Sequence, residues 1–245
     1  MNILRYPRAL FVLIITPLLT LLTSLGALFA IFICRLTADT VQTLPMLWAR
    51  IICWCAGVEV TVEGQGNLDR TKTYIFAANH QSQFDIFALQ GYLGFDFRWM
   101  AKKELFAIPI FGAGMRSAGY ISVDRSRGRQ AVQSLNEAAQ RITDGTSVII
   151  FPEGTRSRDG LLQPFKSGAM VLAIKAGVPI VPVAIIGTHQ VLAKGKLLSQ
   201  PGPVRIRLGR PIETSQFKPG EKQELANRLQ QEVAALLDAA HGSPQ

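Results

Sequence analysis

The sequence predicts an α/β layer architecture preceded by a membrane-associated pair of helices, on three observations. From residue 59 onward, apolar runs of strand length alternate with segments of helical periodicity. Residues 9–34 contain no charged side chain. Of the 245 residues, 48% are hydrophobic and 18% charged, which supplies a core and excludes a disordered chain. The chain therefore divides into a helical element, 1–58, and an α/β domain, 59–245.

As a helix, residues 9–34 extend about 39 Å at 1.5 Å per residue, longer than the ~30 Å hydrocarbon core of a bilayer. The run exceeds the usual apolar region of a signal peptide and has no small-x-small cleavage site on a polar flank. A second apolar stretch, 41–58, carries Trp48 and Trp54 and is broken by Pro45 and Arg50, a composition suited to the lipid interface. A single span would leave Arg5 and Arg8 on one side and Arg35 with the basic remainder on the other. Two helices lying in or dipping into the cytoplasmic leaflet remove that conflict, with a full span as the alternative.

Residues 73–78 read as a buried strand ending at Asn79-His80, and a short helix follows from Ser82. Residues 129–143 place Val132, Leu135, Ala139 and Ile142 on one helical face, with Gly145 where that helix should stop. Then come a strand at 147–151, a helix at 169–176, and a strand at 180–186 that Pro182 assigns to an edge or irregular position. A strand at 204–208 and an amphipathic helix at 221–240, through Leu225, Leu229, Val233 and Leu236, close the chain.

Lys and Arg number 26 against 17 Asp and Glu, a formal charge of +9, so the expected partner is anionic. Between residues 98 and 129 stand Arg98, Lys102, Lys103, Arg116, Arg125, Arg127 and Arg129, opposed by Glu104 and Asp124, which reads as an anion-attracting face or as an ordinary solvated one. No nucleic-acid-binding motif accompanies the charge, so no nucleic-acid partner is expected. Cys34, Cys53 and Cys55 match neither a redox pair nor a zinc knuckle, which excludes a disulfide framework and suits a reducing compartment. The chain holds only His80, His189 and His241, with no ligand cluster at a recognised spacing, so no metal is expected.

The densest chemical constellation is 79–85, Asn-His-Gln-Ser-Gln-Phe-Asp, at a strand-to-helix turn. His80 is suited to proton transfer near neutrality, and Asp85 on its second ring nitrogen would fix the tautomer. Alternatively, Ser82 and Asp85 form a capping box and His80 is a loop residue. A second constellation, 151–157, follows another strand: Gly154 permits close backbone approach and Arg156 offers a planar fork for phosphate oxygens, unless Glu153 and Arg156 simply pair across a turn.

With Gly119 to Arg125 (GYISVDR) and Val178 to Val183 (VPIVPV), these blocks form four motifs in an order and spacing that resemble the glycerolipid acyltransferase family, most closely its bacterial 1-acyl-sn-glycerol-3-phosphate acyltransferases. The resemblance covers roughly residues 73–211. It implies a mixed, largely parallel sheet flanked by helices, a membrane-associated two-helix N-terminus, and a protein at the cytoplasmic face of the inner membrane. It implies that His80 and Asp85 are the catalytic pair and that Arg125, Glu153, Gly154, Thr155 and Arg156 bind or frame an acceptor phosphate, with Lys102 or Lys103 a similar candidate. The implied reaction moves an acyl group from acyl-CoA or acyl carrier protein to the sn-2 hydroxyl of an anionic lysophospholipid, without cofactor or metal. The sequence does not name the oxyanion donors; amides at the start of the Ser82 helix are one option. Rival readings are transfer to another lysolipid such as a lyso-aminolipid, a membrane-bound lipid or thioester hydrolase, and a non-catalytic protein that binds anionic lipid.

Overall fold

The computed structural model describes residues 5–124 and 129–239. It opens with α1 (Arg5–Phe32), a one-turn α2 (Ala38–Val41) and α3 (Thr43–Ala56). The α1 helix is about 42 Å long, and Thr16, Thr20 and Ser24 return their hydroxyls to the carbonyls of Val12, Thr16 and Thr20, which is how an apolar helix carries three hydroxyls without penalty. Trp48 of α3 donates its indole N–H to Thr20 Oγ1 at 3.1 Å. Arg8 donates to the carbonyls of Cys55 and Trp54, so the start of α1 caps the end of α3 and the two form an antiparallel hairpin. Opposite that contact, α1 exposes Leu10, Phe11, Ile14, Leu18, Leu22 and Phe29. It is long and apolar enough to cross a membrane, and an apolar face of that size needs lipid cover.

Next in the chain are β1 (Val58–Glu63), β2 (Ile75–Ala78), α4 (Phe84–Tyr92), β3 (Arg98–Lys102), α5 (Lys103–Phe106), α6 (Phe111–Ser117) and β4 (Ile121–Val123). They are followed by α7 (Arg129–Thr143), β5 (Val148–Ile150), α8 (Ser167–Ala176), β6 (Ile180–Ile186), α9 (Thr188–Val191), β7 (Gly202–Leu208) and α10 (Lys222–Asp238). The seven strands form one sheet in the order β1-β7-β6-β2-β5-β3-β4, parallel throughout except at the β6/β7 pair. This is the mixed, largely parallel sheet that the motifs implied.

Alternation along β2 divides the core. Phe76 and Ala78 join Ile52 and Cys53 of α3 and Phe84, Phe87 and Leu89 of α4, whereas Ile75 and Ala77 join Ile142 of α7, Met170 and Leu172 of α8 and Leu225 and Leu229 of α10. The helices thus cover both faces of the sheet, as a parallel sheet requires.

Four sequence expectations need correction. β6 is an interior strand between β2 and β7 rather than an edge. Pro182 is tolerated because its carbonyl faces Gly209, which donates to it at 2.8 Å, just beyond the end of β7, where a missing N–H breaks no ladder bond. On α7, Val132 is exposed, and Ala138, Ala139 and Ile142 carry the burial. Arg98 does not belong to an anion-attracting face: it is buried and paired with Asp39 and Asp96. Strands β1, β3 and β4 have no counterpart among the expected elements.

Candidate active site

Five parallel strands, β4, β3, β5, β2 and β6, end at the same edge of the sheet, the side where open parallel sheets bind ligands. The 79–85 and 151–157 motifs leave β2 and β5 there and Asp124 of the GYISVDR block follows β4, whereas VPIVPV enters β6 from the opposite end. Asn79 continues β2 by side chain instead of backbone: its Nδ2 donates to Ile185 O at 2.9 Å and its Oδ1 accepts from Ile185 N at 2.7 Å. The amide thereby finishes the β2/β6 ladder and directs the next residue, His80, out of the sheet.

His80 Nδ1 lies 2.8 Å from Asp85 Oδ2. The same oxygen accepts the backbone N–H groups of Gln81 at 2.7 Å and Ser82 at 2.8 Å, and Asp85 is fully buried. Since the carboxylate acts as acceptor, the ring donates from Nδ1, which leaves Nε2 with a lone pair for a proton. The imidazole stacks on Phe151 with centroids 3.9 Å apart and planes 11° from parallel. Capping and the His–Asp pair are not alternatives here, because one carboxylate oxygen serves both. Ser82 is structural: its hydroxyl accepts from Phe84 N and donates to Leu192 O. The N–H groups of Gln81, Ser82 and Phe84 are engaged within the turn and so are not free to serve as oxyanion donors.

His80 opens onto a cavity of about 410 Å³. Lys102, Gly154, Thr155 and Arg156 give it polar walls, while Ala27 of α1, Trp48 of α3 and Phe111 and Met115 of α6 give it apolar ones. The His80 imidazole thus stands between the cationic side chains of Lys102 and Arg156 and an apolar pocket built partly by α1.

The other expected site residues separate. Lys102 lines the cavity, but Lys103 is exposed and paired with Asp124 at 2.8 Å. Arg125 lies outside the described residues. Gly154 has φ +75°, and a Cβ there would approach Lys166 Nζ to 2.8 Å, so the turn that carries Arg156 requires glycine.

Glu153 is buried behind the cavity wall and forms no pair with Arg156. Its Oε1 accepts His80 N at 2.6 Å and its Oε2 accepts Gln163 N at 3.3 Å, so it ties the two motif loops together and frames the site rather than facing it. Burial pushes its carboxyl up to about 7 from an ordinary 4.5, against the lowering effect of those two amides, with the charges of Asp85 and Asp159 adding to the rise. A carboxyl raised on folding favours the fold while protonated. Its contribution is therefore complete below about pH 4.5 and is lost as pH climbs to about 7. Glu153→Gln should flatten the fall of the thermal unfolding midpoint across that window; a slope equal to that of the unmodified protein would assign the titration elsewhere.

Sequence reasoning missed three contributors: Phe151 as the stacking partner of His80, Thr188, whose hydroxyl donates to Asp85 Oδ1, and Lys194, which donates to Arg156 O at 2.8 Å and Thr155 Oγ1 at 3.2 Å. Phe151 was within a recognised motif. The other two stand more than a hundred residues from His80, and only the sheet order brings them in.

Fold and site together define an α/β protein with an apolar N-terminal helix and a hydrogen-bonded His–carboxylate pair at the carboxyl edge of its sheet. A family model described as Acyltransferase matches residues 59–186, and the chain belongs to that family. It is 36% identical over 168 residues to a 1-acyl-sn-glycerol-3-phosphate acyltransferase of Limnanthes douglasii, covering 68% of this chain and 59% of that protein. Over 214 residues it is 31% identical to the alpha form of the enzyme from Ovis aries, covering 86% and 75% of the two chains. The crystal structure of a 1-acyl-sn-glycerophosphate acyltransferase from Thermotoga maritima superposes with a TM-score of 0.82 at 26% identity, covering 98% of this chain and 99% of that one. The chain spans roughly half to three fifths of the length of the plant relatives it matches.

Proposed function

We propose that this protein transfers a fatty acyl group from a thioester, acyl-CoA or acyl carrier protein, to the free sn-2 hydroxyl of 1-acylglycerol 3-phosphate, forming phosphatidic acid. The observation that carries this reading is the His80–Asp85 pair opening onto a single cavity with cationic and apolar walls. The names of the plant, animal and bacterial relatives support it.

His80 takes the proton from the acceptor hydroxyl as its oxygen attacks the thioester carbonyl, and Asp85 stabilises the imidazolium that forms. The new C–O bond closes as the C–S bond breaks, and the proton held by His80 passes to the departing thiolate. The acceptor supplies its own nucleophile, so the chemistry calls for no acyl-enzyme, metal or resident cofactor. Lys102 and Arg156 receive the phosphate, Gly154 and Thr155 shape its loop, and the apolar walls take acyl chain. In this reading α1 rests its exposed apolar face in the bilayer and the site lies at the cytoplasmic surface of the inner membrane, where a lysolipid arrives from the bilayer.

The direct test is to incubate membranes carrying the protein with labelled acyl thioester and a panel of lysolipids. Labelled phosphatidic acid, formed only with lysophosphatidate, is expected. Acceptor-independent release of free fatty acid would establish a hydrolase instead, and a product from a lyso-aminolipid alone would move the activity to that acceptor. Within this assay, Arg156→Ala should raise KM for lysophosphatidate roughly 10–100-fold with little change in kcat, the scale of a lost charge-assisted contact made in the ground state. An equal loss on a phosphate-free acceptor would make Arg156 a scaffold residue.

A further inference from the structure

The segment 187–196 begins beyond the matched family region, which ends at residue 186, yet touches both halves of the site. It leaves β6, the parallel neighbour of β2, so it emerges beside His80 at the same sheet edge. Gly187 makes the exit: its φ is +96°, and a Cβ would stand 2.3 Å from Pro203 O, a clash no larger residue could relieve without moving the backbone. Thr188 follows, fully buried, and its hydroxyl donates to Asp85 Oδ1, the carboxylate oxygen that His80 does not contact. Further along, Leu192 O accepts from Ser82 Oγ at 2.7 Å and Ala193 bridges Ser82. Lys194 then donates to Arg156 O and Thr155 Oγ1.

We propose that this segment is the positioning clamp of the site, in which Thr188 sets the plane of the Asp85 carboxylate and Lys194 sets the Thr155–Arg156 turn. Oδ2 is held by His80 and two amides, and the Thr188 donor on Oδ1 adds a second point of attachment that resists rotation about the Cβ–Cγ bond, a rotation that would carry Oδ2 away from the ring. Without the Thr188 hydroxyl, Oδ1 is a buried acceptor lacking that donor, and the carboxylate would turn to recover one at the expense of the ring. Lys194 acts on the other half. By holding a backbone carbonyl and a hydroxyl of the 154–156 turn, it aims Arg156 at the cavity without meeting substrate itself.

The inference rests on His80 being the base, and the experiment separates the two. Thr188→Val keeps side-chain shape and removes the hydroxyl, Thr188→Ser keeps the hydroxyl, and Lys194→Met keeps the aliphatic stem; each is measured for kcat and KM with acyl-CoA and lysophosphatidate beside His80→Ala. Thr188→Val should lower kcat on the order of 10-fold with KM within about twofold, and Thr188→Ser should restore most of it. Lys194→Met should show the reverse pattern, a KM about 5–10-fold higher with kcat nearly kept. In proton NMR of the detergent-solubilised protein, the low-field His80 Nδ1–H signal should move in Thr188→Val and stay in place in Lys194→Met. A Thr188→Val enzyme with unchanged kcat beside an inactive His80→Ala enzyme overturns the clamp alone. Near-normal turnover by His80→Ala overturns the base assignment beneath it. A lower kcat together with a higher KM in both variants, with a lower unfolding midpoint and no restoration by Ser, would reduce the segment to scaffold.

Discussion

His80→Ala should lower kcat by at least ~10²-fold, the ordinary scale for removing a general base, while the protein remains folded. The ring is not a core element: it retains 14% exposure and its principal neighbours are Phe151 and Asp85, so its loss opens the cavity rather than the sheet. The backbone of the turn is held independently, since His80 N donates to Glu153, His80 O accepts from Ser157 and Asn79 is locked to Ile185. Thermal unfolding should therefore shift little while turnover collapses. The check is steady-state transfer to lysophosphatidate alongside a melting curve, and turnover within a few-fold of the unmodified protein would remove His80 from the chemistry. Residual activity is expected from binding and orientation alone, because the cavity still brings thioester and hydroxyl together.

The sequence made the site more legible than the fold that builds it. His80, Asp85, Gly154 and Arg156 sit in compact motifs whose members are folded together by one turn each, so spacing alone limits their geometry. Strands β3 and β4, by contrast, are short: Arg98–Lys102 is bounded at both ends by charged residues and Ile121–Val123 is three residues long, and segments of that length give too few positions to display a strand period. β1 alternates well in VEVTVE, yet its neighbour is β7, which pairs with it across 144 residues. Pro182 misled for a physical reason: a proline excludes a ladder bond only on the side its nitrogen faces, and one side of β6 has no ladder bond to lose at that residue. Thr188 was beyond reach for the same kind of reason, since its partner Asp85 is 103 residues away and only the adjacency of β6 to β2 joins them.

Asp85→Asn should reduce kcat on the order of 10²–10⁴-fold and leave the fold nearly intact, whereas Asp85→Ala should damage both. The asymmetry follows from who surrounds this side chain. An asparagine can place its carbonyl oxygen where Oδ2 stands, still accepting from His80, Gln81 N and Ser82 N, and turn its amide toward the Thr188 hydroxyl, which can accept as readily as it donates. Every buried polar group keeps a partner, but the negative charge that stabilises the imidazolium is gone, so the loss falls on the chemical step. Alanine removes the acceptor altogether. Two backbone N–H groups and a hydroxyl are then left without their partner in a fully buried site, at about 1–3 kcal/mol for each that stays unsatisfied. Kinetics and melting curves of the two variants discriminate between the roles: a marked drop in the unfolding midpoint for Asn would make Asp85 chiefly a structural cap, and retention of kcat by Asn would show that its charge contributes nothing to proton transfer.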